Sequence, residues 1–393
     1  MIRVLNCRNK NYKRKLVNFL EIRRLSKSID TSIVPKILKD IKKNKLKAVI
    51  KYEKKFTKNT RIKPTSIEIN KAIRSLNPEI KRAIDYAYRR IFKYHSLQKV
   101  KNINYRDKLK NTFLYRSVPI NKIGVYVPAN LPSTLMMSAI PAKVAGVKNI
   151  ILANPRLDKK LNPAVIYVAK KLGIKEIHSV GGAQAIGSLT YIQKVDKIVG
   201  PGNIYVAKAK QEVFGDVGVE SMIAGPSEIT VVADKKSEIN TIITSLIGQA
   251  EHDVNSQCII ISKDLKVLKK IKKSINKNLS NLPRKKIALK SLKSNGLLIH
   301  ASNDKNVIDL INLIAPEHLE LNITKTKKYI KKIINAGSIC VGKYSAMAVT
   351  DYNVGTNHVL PTMGSARFSS GLSVRDFYKK ISYINLSKKG IEV

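Results

Sequence analysis

Residues 246–257 read "LIGQAEHDVNSQ", and Gln249, Glu251, His252 and Asp253 crowd the end of an apolar helical run. Two readings compete. Polar residues suit the last turn of a helix and the loop beyond, so a plain helix end is one. The other is a metal site: Gln249 and His252 are three apart, share a helix face and could grip one ion. Spacing alone favours the plain reading. Three further segments change the balance. "AGPSEITVV" (224–232) sets Ser227 and Glu228 in a turn before a strand. "LIAPEHLEL" (313–321) places Glu317 and His318 side by side after Pro316, where they start an element. "TDYNVGTNHVLPTMGSAR" (350–367) is a long polar loop carrying Asp351 and His358, and a loop of this length in a compact domain is usually functional. Gln, Glu, His, Asp and His gathered in three loops is what metal-assisted proton chemistry needs.

Stepping outward, the residues around these loops must build elements that hold them. Residues 1–29 read as a basic, partly helical arm, and 31–100 as helical. From residue 122 short apolar runs alternate with helices: "KIGVYVP" (strand), "TLMMSAIPAKVAG" (helix), "NIILAN" (strand), "NPAVIYVAKKLG" (helix), "EIHSV" (strand), "AQAIGSLT" (helix), "DKIVG" (strand), "NIYVAKAKQEVF" (helix). The pattern resumes with "EITVVAD", a helix over 238–250, "QCIIIS", one long lysine-rich helix, "GLLIH", "DLINLI" and "SICVG". Such alternation predicts parallel sheets covered on both faces. The expected fold is α/β, with two Rossmann-like parallel-sheet domains, the second inserted into the first, and a helical N-terminal arm. The expected boundaries are 1–29 for the arm, 30–121 with 229–378 for the first domain, 122–228 for the inserted one and 379–393 for a terminal remnant. No G-x-G-x-x-G follows a strand. "HSVGGAQAIGS" and "VGPGNIYVAKAK" instead put glycine loops at strand carboxyl ends, where open α/β sheets bind ligands and where helix N–H groups can hold a phosphate or carboxylate. A tight strand-to-helix turn is the plain alternative for each.

The chain has 393 residues with 44% hydrophobic content, enough for two or three domains. Its formal charge of +47 suggests phosphate contacts. However, the lysines are spread over helical faces, and aromatics are only 6% with no Trp, so no dedicated or specific nucleic-acid role is expected. No apolar run approaches a membrane span, and the N-terminus lacks a signal-peptide core, which points to the cytoplasm without membrane attachment. Cys7, Cys258 and Cys340 are far apart and read as reduced, packed thiols.

Taken together, "IPAKVAGV", "VGGAQAI", "VDKIVGPGNIYVA", "AGPSE", "QAEHD", "APEHLE" and "DYNVGTNHVLPT" resemble the histidinol dehydrogenases, in that family's order and from about residue 30 to 390. The resemblance implies a four-electron oxidation of L-histidinol through L-histidinal to L-histidine, the last step of histidine biosynthesis, with NAD reduced twice and a Zn2+ ion anchoring the substrate. Carried over by position, Gln249, His252 and Asp351 match metal ligands, and Glu317 and His318 match the catalytic pair. Ser227 and His358 fall on substrate-contacting positions, together with Gln249, His252, His318 and Asp351; Tyr126, Gln184 and Asn203 match NAD contacts. His318 suits the base that takes the alcohol proton, and Glu317 the base that deprotonates water for the aldehyde step. Glu251 and Asp253 read as orienting or capping residues; His95, His178 and His300 read as structural.

The sequence also departs from the family. Ala129 and Asn130 replace a glycine pair. The family's C-terminal segment, which brings a histidine to the partner's zinc and a glutamate to its substrate, has no counterpart after "LSKKGIEV". Three protein ligands are then expected, with zinc held about 10-fold to 100-fold more weakly, and a homodimer that is weakened. A catalytically impaired homologue keeping the fold and ligand binding, or a basic nucleic-acid-binding protein, are the alternatives. The intact "APEHLE" and "GTNHVLPT" favour an active enzyme.

Overall fold

Strands apolar on both faces, such as "EITVVA" and "QCIIIS", need helices above and below them. A computed structural model supplies both layers and describes residues 2–25, 30–220, 225–279 and 282–392. Residue 1 and residues 26–29 of the expected arm, residues 221–224 (with Ala224 of "AGPSE"), residues 280–281 of the lysine-rich stretch and residue 393 lie outside the described residues. The chain divides into two α/β units, each with its own parallel sheet.

One unit comprises Met1–Asp30, Ser221–Tyr352 and Leu360–Gly371. Its sheet runs, in spatial order, Arg3–Asn6, Gly296–His300, Gln257–Ser262, Glu228–Ala233, His318–Asn322 and Ser338–Val341, all parallel. Alternate side chains go to opposite faces. Ile229, Val231, Cys258 and Ile260 pack with helices Ile239–Ala250, Leu265–Asn278 and Lys285–Asn295. Val232, Ile259, Ile261, Leu319 and Leu321 pack with helices Tyr12–Leu25 and Asp304–Ile314.

Two expectations change here. The arm is not an appendage: Arg3–Asn6 is an edge strand paired in register with Gly296–His300, and Leu16 of the following helix is fully buried. The single lysine-rich helix is two, with Pro283 between them, because proline cannot continue a helix. The element that Glu317 and His318 start is the strand His318–Asn322, which lies inside the sheet next to the edge strand Ser338–Val341.

The other unit comprises Thr31–Glu220, Asn353–Val359 and Leu372–Val393. Its parallel sheet runs Glu176–His178, Asn149–Ala153, Lys122–Tyr126, Lys197–Val199 and Gly218–Val219. Here the expected boundaries differ from the structure. Residues 31–121 belong with this sheet, because the helical stretch Ile33–Thr57, kinked at Lys45, buries Val34, Ile37, Leu38 and Ile41 in the same core as Ile151, Ile186 and Ile198. Each such side chain contributes about 1.5–3 kcal/mol on burial, ample to fix the helix there. Contact is close: a Cβ at Gly187 would come 2.9 Å from the Ile41 side chain. The expected terminal remnant is also part of this unit, since Tyr378–Asn385 pairs antiparallel with Thr112–Pro119 in a three-stranded sheet completed by Ile103–Arg106. Among the described residues no helix is long and apolar enough to cross a membrane.

A capping box starts helix Ser66–Arg74: Thr65 caps Glu68 N–H, and Glu68 accepts from Thr65 N–H at 2.8 Å. That N–H, with help from Arg156 and Arg61 and against burial, holds the Glu68 carboxyl down to about 2. A carboxyl depressed on folding stabilises the protein above its unfolded value and loses that stabilisation as pH falls through the folded one. Glu68→Gln, which keeps the acceptor of the capping box but loses the charge, is therefore expected to cost about 0.3–1 kcal/mol at neutral pH. The gap should close as pH falls from about 4.5 toward about 2, as read by urea unfolding of both proteins across that range.

Candidate active site

In the first unit, the chemistry-bearing residues collect at the amino ends of the strands. Register sets Gln257 beside Glu228, and His318 beside Ile229, so the turns that enter these three strands meet along one edge. Glu317 and His318 arrive on the turn that follows helix Asp304–Ile314. Ala315 takes a left-handed φ of 49° and Pro316 prevents helix continuation. The far side of this turn is fixed by backbone bonds from Gly337 N to Pro316 O (2.9 Å) and Ser338 N to Glu317 O (2.8 Å). Position 337 must be glycine, since a Cβ there would lie 2.6 Å from the Glu317 carbonyl oxygen.

Glu317 and His318 are 5% and 3% exposed. The Glu317 Oε2 accepts from Glu228 N–H at 2.8 Å, and its Oε1 lies 3.7 Å from His318 Nε2. Asp351 Oδ1 lies 4.0 Å from the same nitrogen. These last two separations are charge contacts and exceed hydrogen-bond length. Burial pushes the Glu317 carboxyl well above the usual carboxylate range; Glu228 N–H pulls it back, the Glu228 and Asp351 carboxylates add to the rise, and Arg23 opposes it. Burial likewise pushes Asp351 up to about 7. Two acids and an imidazole therefore meet at one edge, with Glu317 and His318 buried and Asp351 half-buried, an arrangement suited to proton transfer.

Gln249 is buried in the last turn of helix Ile239–Ala250, and His252 follows, exposed, beyond the Glu251 cap. Among the described residues no three His, Cys, Asp or Glu side chains form a metal-binding group. The expected ligand set contains only two of those types, with an amide as the third member. An amide oxygen, an imidazole and a carboxylate suit a borderline cation such as zinc. A carboxylate raised to about 7 by burial is one that a divalent cation would hold ionised. The residues fit the metal in chemistry. Ser227 lies in the turn before Glu228, with its carbonyl bonded to Gln257 N at 3.0 Å.

Three residues that sequence reasoning did not assign also build this edge. Glu320, buried in strand His318–Asn322, accepts from Ser245 Oγ (3.0 Å) and Met347 N (2.7 Å). It thereby ties down the helix that carries Gln249 and the short helix Met347–Thr350 that precedes Asp351. Glu228 and Arg23 form a buried ion pair. A signal for Arg23 exists in the sequence: Leu16, Phe19, Leu20 and Arg23 follow the i, i+3, i+4, i+7 stripe that faces a core. A cation on such a stripe needs a buried anion.

In the second unit, Tyr126, Gln184 and Asn203 lie at the carboxyl edge of the sheet. Tyr126 ends strand Lys122–Tyr126, and its hydroxyl accepts from Gly182 N at 3.4 Å. Buried Glu53 accepts from Gly181 N and from Gln184 Nε2, both at 2.8 Å. The first glycine loop thus presents one N–H, that of Gly181, to a carboxylate, but to one from this chain. Asn203 Oδ1 caps helix Ile204–Glu212 through Tyr205 N and Val206 N, both at 3.1 Å. In this loop Gly200 has φ 111°, and a Cβ would lie 2.0 Å from the Tyr126 carbonyl; only glycine fits. His358 belongs to this unit's segment Asn353–Val359, where Asn357 donates to the Met137 carbonyl at 2.7 Å.

His95 bonds Gln98 at 2.8 Å, His178 bonds Glu176 at 2.9 Å, and His300 bonds the Lys263 carbonyl at 3.2 Å. Asp253 closes a turn on Asn255 N. All three cysteines are free and buried; burial pushes Cys7 up to about 11, and Cys258 and Cys340 to about 12.

A family model described as histidinol dehydrogenase matches residues 22–393. A histidinol dehydrogenase of Pelagibacter ubique (strain HTCC1062) is 56% identical, covering 100% of this chain and 93% of the relative. One from Hydrogenovibrio crunogenus is 40% identical over 99% of this chain and 92% of its own length. The crystal structure of a histidinol dehydrogenase from Elizabethkingia anophelis superposes with a TM-score of 0.93 at 38% identity, covering 100% of this chain and 92% of that one.

Proposed function

Because this chain belongs to the histidinol dehydrogenase family, we propose that it oxidises L-histidinol to L-histidine in two NAD-dependent steps, as the last reaction of histidine biosynthesis. The observation that carries the proposal is the meeting of buried Glu317 and His318 with half-buried Asp351 at the amino end of strand His318–Asn322. When bound, NAD accepts the hydride of each step, and zinc, held by Gln249, His252 and Asp351, fixes the substrate as a template.

This chain's residues supply the proton chemistry. In the first step His318 takes the hydroxyl proton of L-histidinol as hydride leaves carbon, and the aldehyde L-histidinal forms. In the second, Glu317 takes a proton from water, the hydroxyl adds to the aldehyde carbon, and loss of hydride from the hydrate leaves the carboxylic acid. The raised Glu317 carboxyl is a stronger base than an exposed one. Ser227 and His358 contact the substrate, and Tyr126, Gln184 and Asn203 contact NAD. Keeping the aldehyde at one site protects it between steps. The reading extends to a homodimer in the cytoplasm, supported by family resemblance and by three buried, free thiols.

The metal assignment is tested by the zinc retained after dialysis. The parent protein is expected to keep its zinc, and His252→Ala and Asp351→Asn to bind it about 10-fold more weakly or worse. Equal retention by all three proteins would remove these residues from the ligand set.

A further inference from the structure

We propose that Arg23, on the N-terminal helix Tyr12–Leu25, is a positioning residue that acts through Glu228 to hold Glu317 in its reactive orientation. This inference rests on the catalytic role proposed for Glu317.

Arg23 is 5% exposed and spends its guanidinium on three groups in two segments. Nη1 pairs with the Glu228 carboxylate, Nη2 donates to the Pro226 carbonyl at 2.7 Å, and Nε donates to the Asn255 carbonyl at 3.3 Å. Glu228 Oε1 also accepts from Met363 N at 2.8 Å. One side chain from the start of the chain therefore gathers the turn that carries Ser227, the loop that follows His252 and, through Glu228, the 360–364 stretch. The packing there leaves no slack: a Cβ on Gly225 would meet the Met363 side chain at 2.5 Å.

The consequence falls on Glu317. Its Oε2 is bonded to the backbone N–H of Glu228, the same residue whose side chain Arg23 grips. Glu228 is thus anchored at both ends: Arg23 and Met363 fix its carboxylate, and its N–H aims Glu317. A buried Arg–Glu pair is a poor choice for stability alone, since apolar residues of similar volume do as well or better. A planar fork with several donors is instead suited to fixing geometry in several loops at once. Arg23 also offsets the Glu228 charge, which would otherwise stand unbalanced against the Glu317 carboxylate.

Displacement of a reacting group by about 1 Å can cost about 100-fold in rate. The test is the oxidation of L-histidinal by NAD, with kcat and KM determined separately for Arg23→Met, Arg23→Lys, Glu228→Gln and Glu317→Gln, each scaled to its folded fraction by thermal melting. Arg23→Met is expected to lower kcat about 100-fold and Glu228→Gln about 10-fold, with KM within about 2-fold of the parent. Arg23→Lys, which keeps the charge but not the fork, should recover part of the loss. If Arg23→Met does not fold, the isosteric Glu228→Gln decides. Variants that melt earlier but keep the parent kcat, or that change KM alone, would overturn the inference and leave Arg23 a purely structural residue. Glu317→Gln separates the two layers. If it too keeps the parent kcat, the catalytic reading of Glu317 fails; if it alone loses kcat, only the Arg23 inference fails.

Discussion

Glu317→Gln is expected to stall the enzyme at the aldehyde. The amide keeps the shape of the carboxyl, and its oxygen can still accept from Glu228 N–H at the 2.8 Å position, so local geometry persists. What disappears is the base for water. General-base catalysis contributes about 100-fold to 10,000-fold, and L-histidinal oxidation should fall by that order. Hydride removal from L-histidinol should fall far less, because His318 is unchanged. Stopped-flow NADH absorbance resolves the two steps: one equivalent should form from L-histidinol at near the parent rate, followed by a slow second. A second equivalent formed as fast as in the parent would remove Glu317 from the water-activating role.

His318→Gln is expected to produce the mirror image. His318 is 3% exposed, and its Nε2 is 3.7 Å from Glu317 and 4.0 Å from Asp351. Glutamine leaves an amide that does not take up a proton at neutral pH. Oxidation of L-histidinol should slow by about 100-fold to 10,000-fold. Oxidation of supplied L-histidinal should retain most of its rate, since Glu317 keeps its Glu228 N–H partner. Equal losses on both substrates would instead mean that the imidazole supports the site as a whole. Neither variant alone assigns roles to both residues; opposite effects on the two half-reactions do.

Much of this was legible in the residues. The short continuous apolar runs located the strands Lys122–Tyr126, Asn149–Ala153, Glu228–Ala233 and Gln257–Ser262, because strands buried on both faces are apolar at successive positions. Glu317 and His318 stood out through Pro316, and the structure brings Asp351 to them. What stayed hidden depends on contacts distant in sequence. "RVLN" has too few residues to show a period, and becomes a strand through pairing with Gly296–His300. The helix Ile33–Thr57 has a core stripe that fits either sheet; only packing against Ile186 and Ile198 decides which. Pro283 was a visible break that the lysine pattern masked. Arg23 lies 205 positions from Glu228, and no local pattern states that pairing, although its place on a buried stripe required an acidic partner somewhere.

The most direct test of the account is the number of NADH molecules formed per L-histidinol by the purified protein, with bound zinc counted in the same sample. The account predicts two, abolished by a chelator and restored by added zinc. No NADH from a folded, zinc-loaded protein would contradict it.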